Sequence, residues 1–292
     1  MKRVSLILGV LVACVVPTSP TIADVRTTNG VTYCSLPGYD LQVDIAQPEG
    51  EGPHPAIVFV HGGGWRGGHR KGYRGAVLNA AKRGFFAMTV TYRLTEPDEN
   101  QKAKNPFPAA VHDVKCAIRW LRANAEKYKV DTNRIGVTGG SAGGHLSLMI
   151  GLSDASAGLE GTGGHADQSS RVQAVVNYFG PTDMVLLCET SPGAAPIVGS
   201  FLDGSPDEQA ANYKASSPVT HITKDDPPVL TIHGDLDRLV PPSQAKTLDQ
   251  KMKEAGLTHE LLILKGQAHG FRGAAGKQAS DAMFAFFEKH LK

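Results

Sequence analysis

Ser141 stands in the segment Gly139-Gly140-Ser141-Ala142-Gly143, directly behind the apolar run Arg134-Ile135-Gly136-Val137-Thr138. A Gly-x-Ser-x-Gly pattern between a strand and a helix makes a sharp turn that lifts the serine hydroxyl clear of a sheet. The flanking glycines permit that turn, because a Cβ would obstruct it. A serine hydroxyl is a poor nucleophile until a base takes its proton, so Ser141 needs a histidine oriented by a carboxylate. Downstream, the strand candidate Val229–His233 runs into Gly234-Asp235-Leu236-Asp237, and Glu260–Leu264 runs into a loop containing His269. Asp237 and His269 thus lie just beyond the ends of two neighbouring strands, in the chain order Ser, Asp, His that accompanies a serine on this kind of strand-to-helix turn. Asp235 is the competing acid, and Asp183 is expected to cap a turn. Of the 11 histidines, His269 alone stands in a glycine-flanked loop at the right strand end. His61, His145 and His233 are expected to be structural.

A second signal is His61-Gly62-Gly63-Gly64-Trp65, which follows the apolar run Ala56–Val60. Three glycines after a central strand let the backbone aim N–H groups at a developing oxyanion. Gly63 and Gly64 are the expected donors, with Ala142, the residue after the nucleophile, as their partner. Trp65 has two readings: a stacking surface for an aromatic acyl group or sugar ring, or simple packing beneath the loop. The chemistry these residues support is acyl transfer in two steps through a covalent acyl-enzyme, which calls for no metal or organic cofactor.

With these residues in view, the chain resembles α/β-hydrolase carboxylesterases with an HGGG-type oxyanion loop, and among them the bifunctional feruloyl/acetyl-xylan esterases. The resemblance rests on His61–Trp65, Tyr92-Arg93-Leu94, Asp113-Val114-Lys115, Arg119-Trp120-Leu121, Gly139–Gly144, Ser217-Pro218 and His233–Pro241, in that order. It implies Ser141, Asp237 and His269 as the catalytic residues. It also implies short-chain acyl esters or polysaccharide-linked acetyl and feruloyl esters as substrates. The loop Leu94–Phe107 and an insertion around Gly158–Ser170 depart from the pattern and are expected to reshape the pocket rim. His233-Gly234-x-x-Asp237 with Val240-Pro241 also resembles the prolyl-oligopeptidase group, which keeps a peptidase or amidase open, and arylformamidases share the oxyanion loop. A reading of another class is a non-catalytic exported binding protein on the same fold, which would usually lack one of these residues.

The elements that must position these groups alternate along the chain. Strands are expected at Leu41–Ala46, Ala56–His61, Phe85–Tyr92, Arg134–Thr138, Val172–Phe179, Val229–His233 and Glu260–Leu264. Helices are expected at Tyr73–Arg83, Pro108–Lys127, Ala142–Leu152, Pro242–Ala255 and Lys277–Leu291. Near-continuous apolar runs such as Ala56–Val60 suit parallel strands buried on both faces. The expected fold is an α/β-hydrolase fold: a mostly parallel, doubly wound sheet with helices on both faces. Residues 181–226, rich in Pro, Gly, Ser and Ala, read as a modest cap insertion over the sheet edge where ligands bind.

Composition narrows the class further. Of 292 residues, 41% are hydrophobic and 20% charged, which suits a globular domain with a sizeable core. Lys and Arg number 30 against 28 Asp and Glu; with no basic run, there is no electrostatic case for nucleic-acid binding. Met1-Lys2-Arg3, the apolar stretch Val4–Val16 and the small residues up to Ala23 read as a secretory signal peptide over 1–23. Residues 24–292 then form the catalytic domain, exported to the periplasm or beyond. Leu11-Val12-Ala13-Cys14 offers a rival lipoprotein box, with a lipid anchor at Cys14. No other stretch is apolar enough for a transmembrane segment. Beyond Ala23 the cysteines are Cys34, Cys116 and Cys188; Cys116 is expected in a buried helix face, and Cys34 with Cys188 is a possible pair.

Overall fold

A computed structural model describes residues 24–100 and 102–292. The leader at 1–23 and the lipid-anchor alternative at Cys14 lie outside the described residues. Two long strands open the fold, β1 (Val25–Leu36) and β2 (Tyr39–Pro48). Then follow β3 (His54–Val60), α1 (Arg74–Lys82), β4 (Phe86–Val90) and a two-residue-per-arm hairpin, β5 (Glu96–Pro97) and β6 (Ala103–Lys104). The central section is α2 (Ala109–Ala123), α3 (Ala125–Tyr128), β7 (Val130–Gly140), α4 (Ala142–Leu152) and β8 (Ala174–Tyr178). Three short helices, α5 (Met184–Thr190), α6 (Ala195–Leu202) and α7 (Ala210–Ala215), precede β9 (Val229–Gly234), α8 (Ser243–Glu254), β10 (His259–Leu264) and α9 (Gly273–Leu291).

Among the described residues, the main sheet has eight strands in the order β1-β2-β4-β3-β7-β8-β9-β10. β1, β2 and β4 pair antiparallel, and every pairing from β4 through β3 to β10 is parallel. Side chains of β3 show why both faces must be covered. Ala56, Val58 and Val60 join the core beneath α2 and α4, while Ile57 and Phe59 join the core beneath α1 and α9. Each is fully or almost fully buried, as expected of a parallel strand sandwiched between helix layers.

Several sequence expectations change in detail. β1 carries no strand signature in the sequence, because its residues Arg26–Asn29 are exposed and polar and register irregularities break its alternation. The helix expected over Pro108–Lys127 is interrupted at Asn124, whose Nδ2 donates to the Trp120 carbonyl at 2.8 Å. Such local side-chain bonding competes with helix continuation, and α3 then stops at Lys129 in the left-handed region (φ 53°). The segment Leu94–Phe107 is more than a surface loop: Thr95 N–H donates to the Trp65 carbonyl and Phe107 N–H to the Phe201 carbonyl. The insertion at 158–170 packs on α2 instead of on a pocket rim. Glu160 takes Lys115 Nζ at 2.8 Å and Arg119 at 3.0 Å. Neither segment contributes to the lining of the cavity described below.

Cys34 and Cys188 are not neighbours in the way the sequence left open. Cys34 lies beside Cys116, whereas Cys188 on α5 contacts the Tyr213 hydroxyl at 3.9 Å. Among the described residues, no helix is long and apolar enough to cross a membrane.

Candidate active site

The C-terminal ends of β3, β7, β8, β9 and β10 converge on one edge of the sheet. β7 ends in the turn that carries Ser141, held at φ 57° and ψ −123° immediately before α4. That conformation is costly for a non-glycine residue and persists only where surroundings impose it. Here they do: a Cβ on Gly139 would lie 2.4 Å from the Val60 carbonyl oxygen, and one on Gly143 only 2.1 Å from it. β3 and the start of α4 therefore approach backbone to backbone. Ser141 N–H donates to the Tyr178 carbonyl at 2.9 Å, which fastens the turn to β8.

Ser141 Oγ lies 2.9 Å from His269 Nε2, and His269 Nδ1 lies 2.7 Å from Asp237 Oδ2. The other carboxylate oxygen, Oδ1, accepts N–H bonds from Leu239 at 3.0 Å and Val240 at 2.9 Å. Burial alone would raise the Asp237 carboxyl. Hydrogen bonds from His233, His269 and the Val240 N–H outweigh it and hold the group well below the usual carboxylate range. Asp237 is thus a fixed negative charge with which the Nδ1 side of His269 pairs. The structure brings Ser141, Asp237 and His269 together from three different strand ends.

The competing residues have other partners. Asp235 accepts the Gly266 N–H at 2.6 Å, tying the β9 and β10 loops together. Asp183 caps α5 by accepting from Leu186 N–H. His61 stacks on Tyr92 with ring centroids 4.3 Å apart, and burial pushes it down to about 4. His233 is buried at the end of β9, 2.8 Å from the Val240 carbonyl and 3.5 Å from Asp237 Oδ2. Its support of the acid was not legible in the sequence, since a histidine ending a strand has no distinctive pattern.

Gly63 and Gly64 lie opposite the turn with φ values of 123° and 60°. A Cβ on Gly63 would stand 2.3 Å from the Gly67 carbonyl oxygen, so the loop closes on itself only with glycine there. Ala142 is the first residue of α4, where an N–H has no partner within its helix. All three residues line the same cavity as Ser141 and His269.

Trp65 takes its packing role. It is 3% exposed, its ring stacks on Phe201 at 4.3 Å, and its Nε1 donates to His145 Nδ1 at 3.1 Å. With one face covered by Phe201 and its N–H taken, the indole is fixed as a floor under the loop, and it also borders the cavity that Ser141 and His269 line. His145 must be neutral to accept that bond, and complete burial pushes it down to about 4. Its Nε2–H then donates to the Ser216 carbonyl at 2.7 Å.

The cavity, about 470 Å³, is walled on its far side by Leu187 of α5, Ala194 just before α6, and Ile197 and Val198 of α6, with Leu239 and Val240 beside the acid. Phe179 completes it, its ring edge-on to His269 at 4.7 Å. These apolar residues went unassigned in the sequence, because a short cap helix has no periodic signature strong enough to orient its side chains. Among the described residues, no group of three or more His, Cys, Asp or Glu side chains is placed to hold a metal ion.

Comparison with known proteins adds independent findings. The BD-FAE family model matches residues 43–252. The esterase LipC of Mycobacterium tuberculosis is 33% identical over 228 residues, covering 75% of this chain and 53% of LipC. The chain spans about half the length of LipC and of two further curated M. tuberculosis esterases that it matches. A truncated carbohydrate esterase from gut microbiota superposes with a TM-score of 0.77 at 28% identity, covering 93% of this chain and 98% of that one. The propionate-bound esterase Est2 of Thermogutta terrifontis gives 0.73 at 28% identity, covering 94% and 96%.

Proposed function

This chain belongs to the BD-FAE family of α/β-hydrolase-fold proteins, and from that premise we propose that it is a serine carboxylic-ester hydrolase. The observation that carries the reading is the unbroken line from Asp237 through His269 to Ser141, at 2.7 and 2.9 Å. His269 Nε2 takes the serine proton as Oγ attacks an ester carbonyl. Asp237 fixes the imidazole tautomer and balances the positive charge that forms. The oxyanion of the tetrahedral intermediate rests on the N–H groups of Gly63, Gly64 and Ala142. His269 then protonates the leaving alcohol, and water releases the acyl group by the same route.

The apolar cap wall suits an acyl group, and a cavity of about 470 Å³ has room for a short aliphatic chain or a single aromatic acid. The propionate on the T. terrifontis esterase and the carbohydrate esterase among the structural neighbours support short-chain acyl or polysaccharide-linked acetyl and feruloyl esters as the substrate class. Taking residues 1–23 as an export leader, the substrates are extracytoplasmic.

The test is p-nitrophenyl acetate hydrolysis by the protein beside its Ser141→Ala variant. The expected outcome is a rate at least about a thousandfold lower in the variant, with an unchanged melting temperature. Activity that survives the substitution would sink the mechanism. An ester panel from acetyl to octanoyl and feruloyl, with acetylated xylan, then sets the acyl preference.

A further inference from the structure

Tyr33 and Cys34 are neighbours in β1, yet both are buried. Consecutive side chains of a regular strand face opposite sides, and on an edge strand one of them would meet solvent. The register supplies the reason. Thr32 pairs with Gln42 and Cys34 with Leu41, so β1 takes two steps where β2 takes one. A bulge of this kind re-aims side chains. Tyr33 turns its hydroxyl onto the Thr91 carbonyl at 2.7 Å, and Cys34 turns toward α2. There Cys116 is 1% exposed. A Cβ built on Gly163 would stand 2.8 Å from Cys116 Sγ and 3.5 Å from Cys34 Sγ. Both sulfurs therefore border one point, roofed by the insertion that Glu160 pins to Lys115 and Arg119. Cys188, the remaining thiol of the described residues, lies in the cap against Tyr213.

We propose that Cys34 and Cys116 form a disulfide that fastens the edge strand β1 to α2. The oxidant is a small-molecule or protein disulfide, as found in oxidising compartments. One cysteine thiolate attacks it and releases a first thiol, leaving a mixed disulfide. The second thiolate displaces the remaining half, so the Cys34 Sγ–Cys116 Sγ bond forms. The pair loses two electrons, the oxidant gains them, and the two cysteine protons end on its two released thiols. Burial and the adjacent Cys34 push the Cys116 thiol up to about 12. In the closed fold it holds its proton and is shielded from oxidant, so the bond forms during folding, before the insertion covers the pair. It acts on stability and lies apart from the ester-hydrolysing site, so its test does not depend on that activity.

The experiment uses the full chain exported to an oxidising bacterial compartment, and the same chain refolded from its reduced form with glutathione disulfide. Each sample is alkylated under denaturing, non-reducing conditions, digested and mapped by mass. The expected result is a linked peptide pair carrying Cys34 and Cys116 that separates on reduction with a gain of two hydrogens, with Cys188 alkylated. The link persists in Cys188→Ser and vanishes in Cys34→Ser. Melting of the oxidised protein is expected several degrees above that of the reduced protein, with p-nitrophenyl acetate turnover unchanged. Alkylation of Cys34 and Cys116 without reduction in both preparations, or a link from either to Cys188, would overturn the proposal. The wild-type peptide map decides the matter even if Cys34→Ser fails to fold.

Discussion

Across the cavity that holds Ser141, two walls face each other and tolerate very different amounts of change. The strand-end wall is backbone against backbone. A methyl on Gly62 would lie 2.5 Å from the Gly140 carbonyl oxygen, and one on Gly139 would lie 2.4 Å from that of Val60. The cap wall is side chain against space: Leu187, Ile197 and Val198 on helices of seven and eight residues, with Ala194 capping the second. Backbone contacts at this spacing have nowhere to relax, whereas an apolar side chain facing a cavity can be shortened at the cost of its own contacts. The first wall therefore suits charge stabilisation, which needs donors that do not move. The second suits selection among acyl groups.

The sharpest way to break this contrast is at the acid. Asp237→Asn removes the charge that sets the His269 tautomer, and we expect kcat to fall about ten-thousandfold with little change in KM. Asp235→Asn, two residues away, loses only a loop fastening and is expected to stay within about tenfold. Steady-state kinetics of the pair would reverse the assignment of the acid if Asp235→Asn proved the worse.

Gly63→Ala tests the strand-end wall itself. The added methyl collides with the Gly67 carbonyl and displaces a proposed oxyanion donor, for an expected loss of about 10²–10³ in kcat. Near-normal turnover would show the loop to be as adaptable as the cap.

Acid probes the supports behind both walls. His61 under the glycine loop and His145 behind the cap are each pushed down to about 4 by burial, from an ordinary value of 6.5. In that window the unfolded chain binds more protons, so their contribution is complete above pH 6.5 and is lost as pH falls toward 4. Protonated His145 would also turn an N–H against the Trp65 N–H. Each histidine contributes up to about 3 kcal/mol. Urea unfolding between pH 7 and 4.5 should show the decline, and His145→Gln should flatten it.

Smaller effects belong to the cap side. Trp65→Phe leaves the buried His145 Nδ1 without its donor, and we expect a loss of about 1–3 kcal/mol in denaturant unfolding with modest kinetic change. Ile197, whose Cγ2 comes within 2.9 Å of where a Gly64 Cβ would lie, marks where the walls meet. Ile197→Ala is expected to raise octanoyl over acetyl ester preference by about fivefold to tenfold. No shift in the acyl profile would mean that the cap does not select.

Motif and order made much of this arrangement legible beforehand. Ser141 was readable because a strained strand-to-helix turn demands glycines at fixed spacing. The central strand β3 is readable because burial on both faces requires a near-continuous apolar run, here Ala56–Val60. β1 is not, since it is an edge strand in which the consecutive residues Arg26, Thr27, Thr28 and Asn29 are all exposed and polar. The packing of Trp65 is not legible in sequence, because Phe201, which covers one face of its ring, lies far along the chain.

The sequence by itself determined which residues have the chemistry for acyl transfer, in what order they occur and on which kind of fold. Those properties reside in local backbone demands and in hydrophobic period, both written in neighbouring residues. Tertiary structure alone decided that His233 supports Asp237, that Trp65 is a floor held by His145, that the cap presents an apolar wall and that Cys34 meets Cys116. Each of these is a contact between segments distant in the chain, and such contacts are set by how the packed layers bring side chains together.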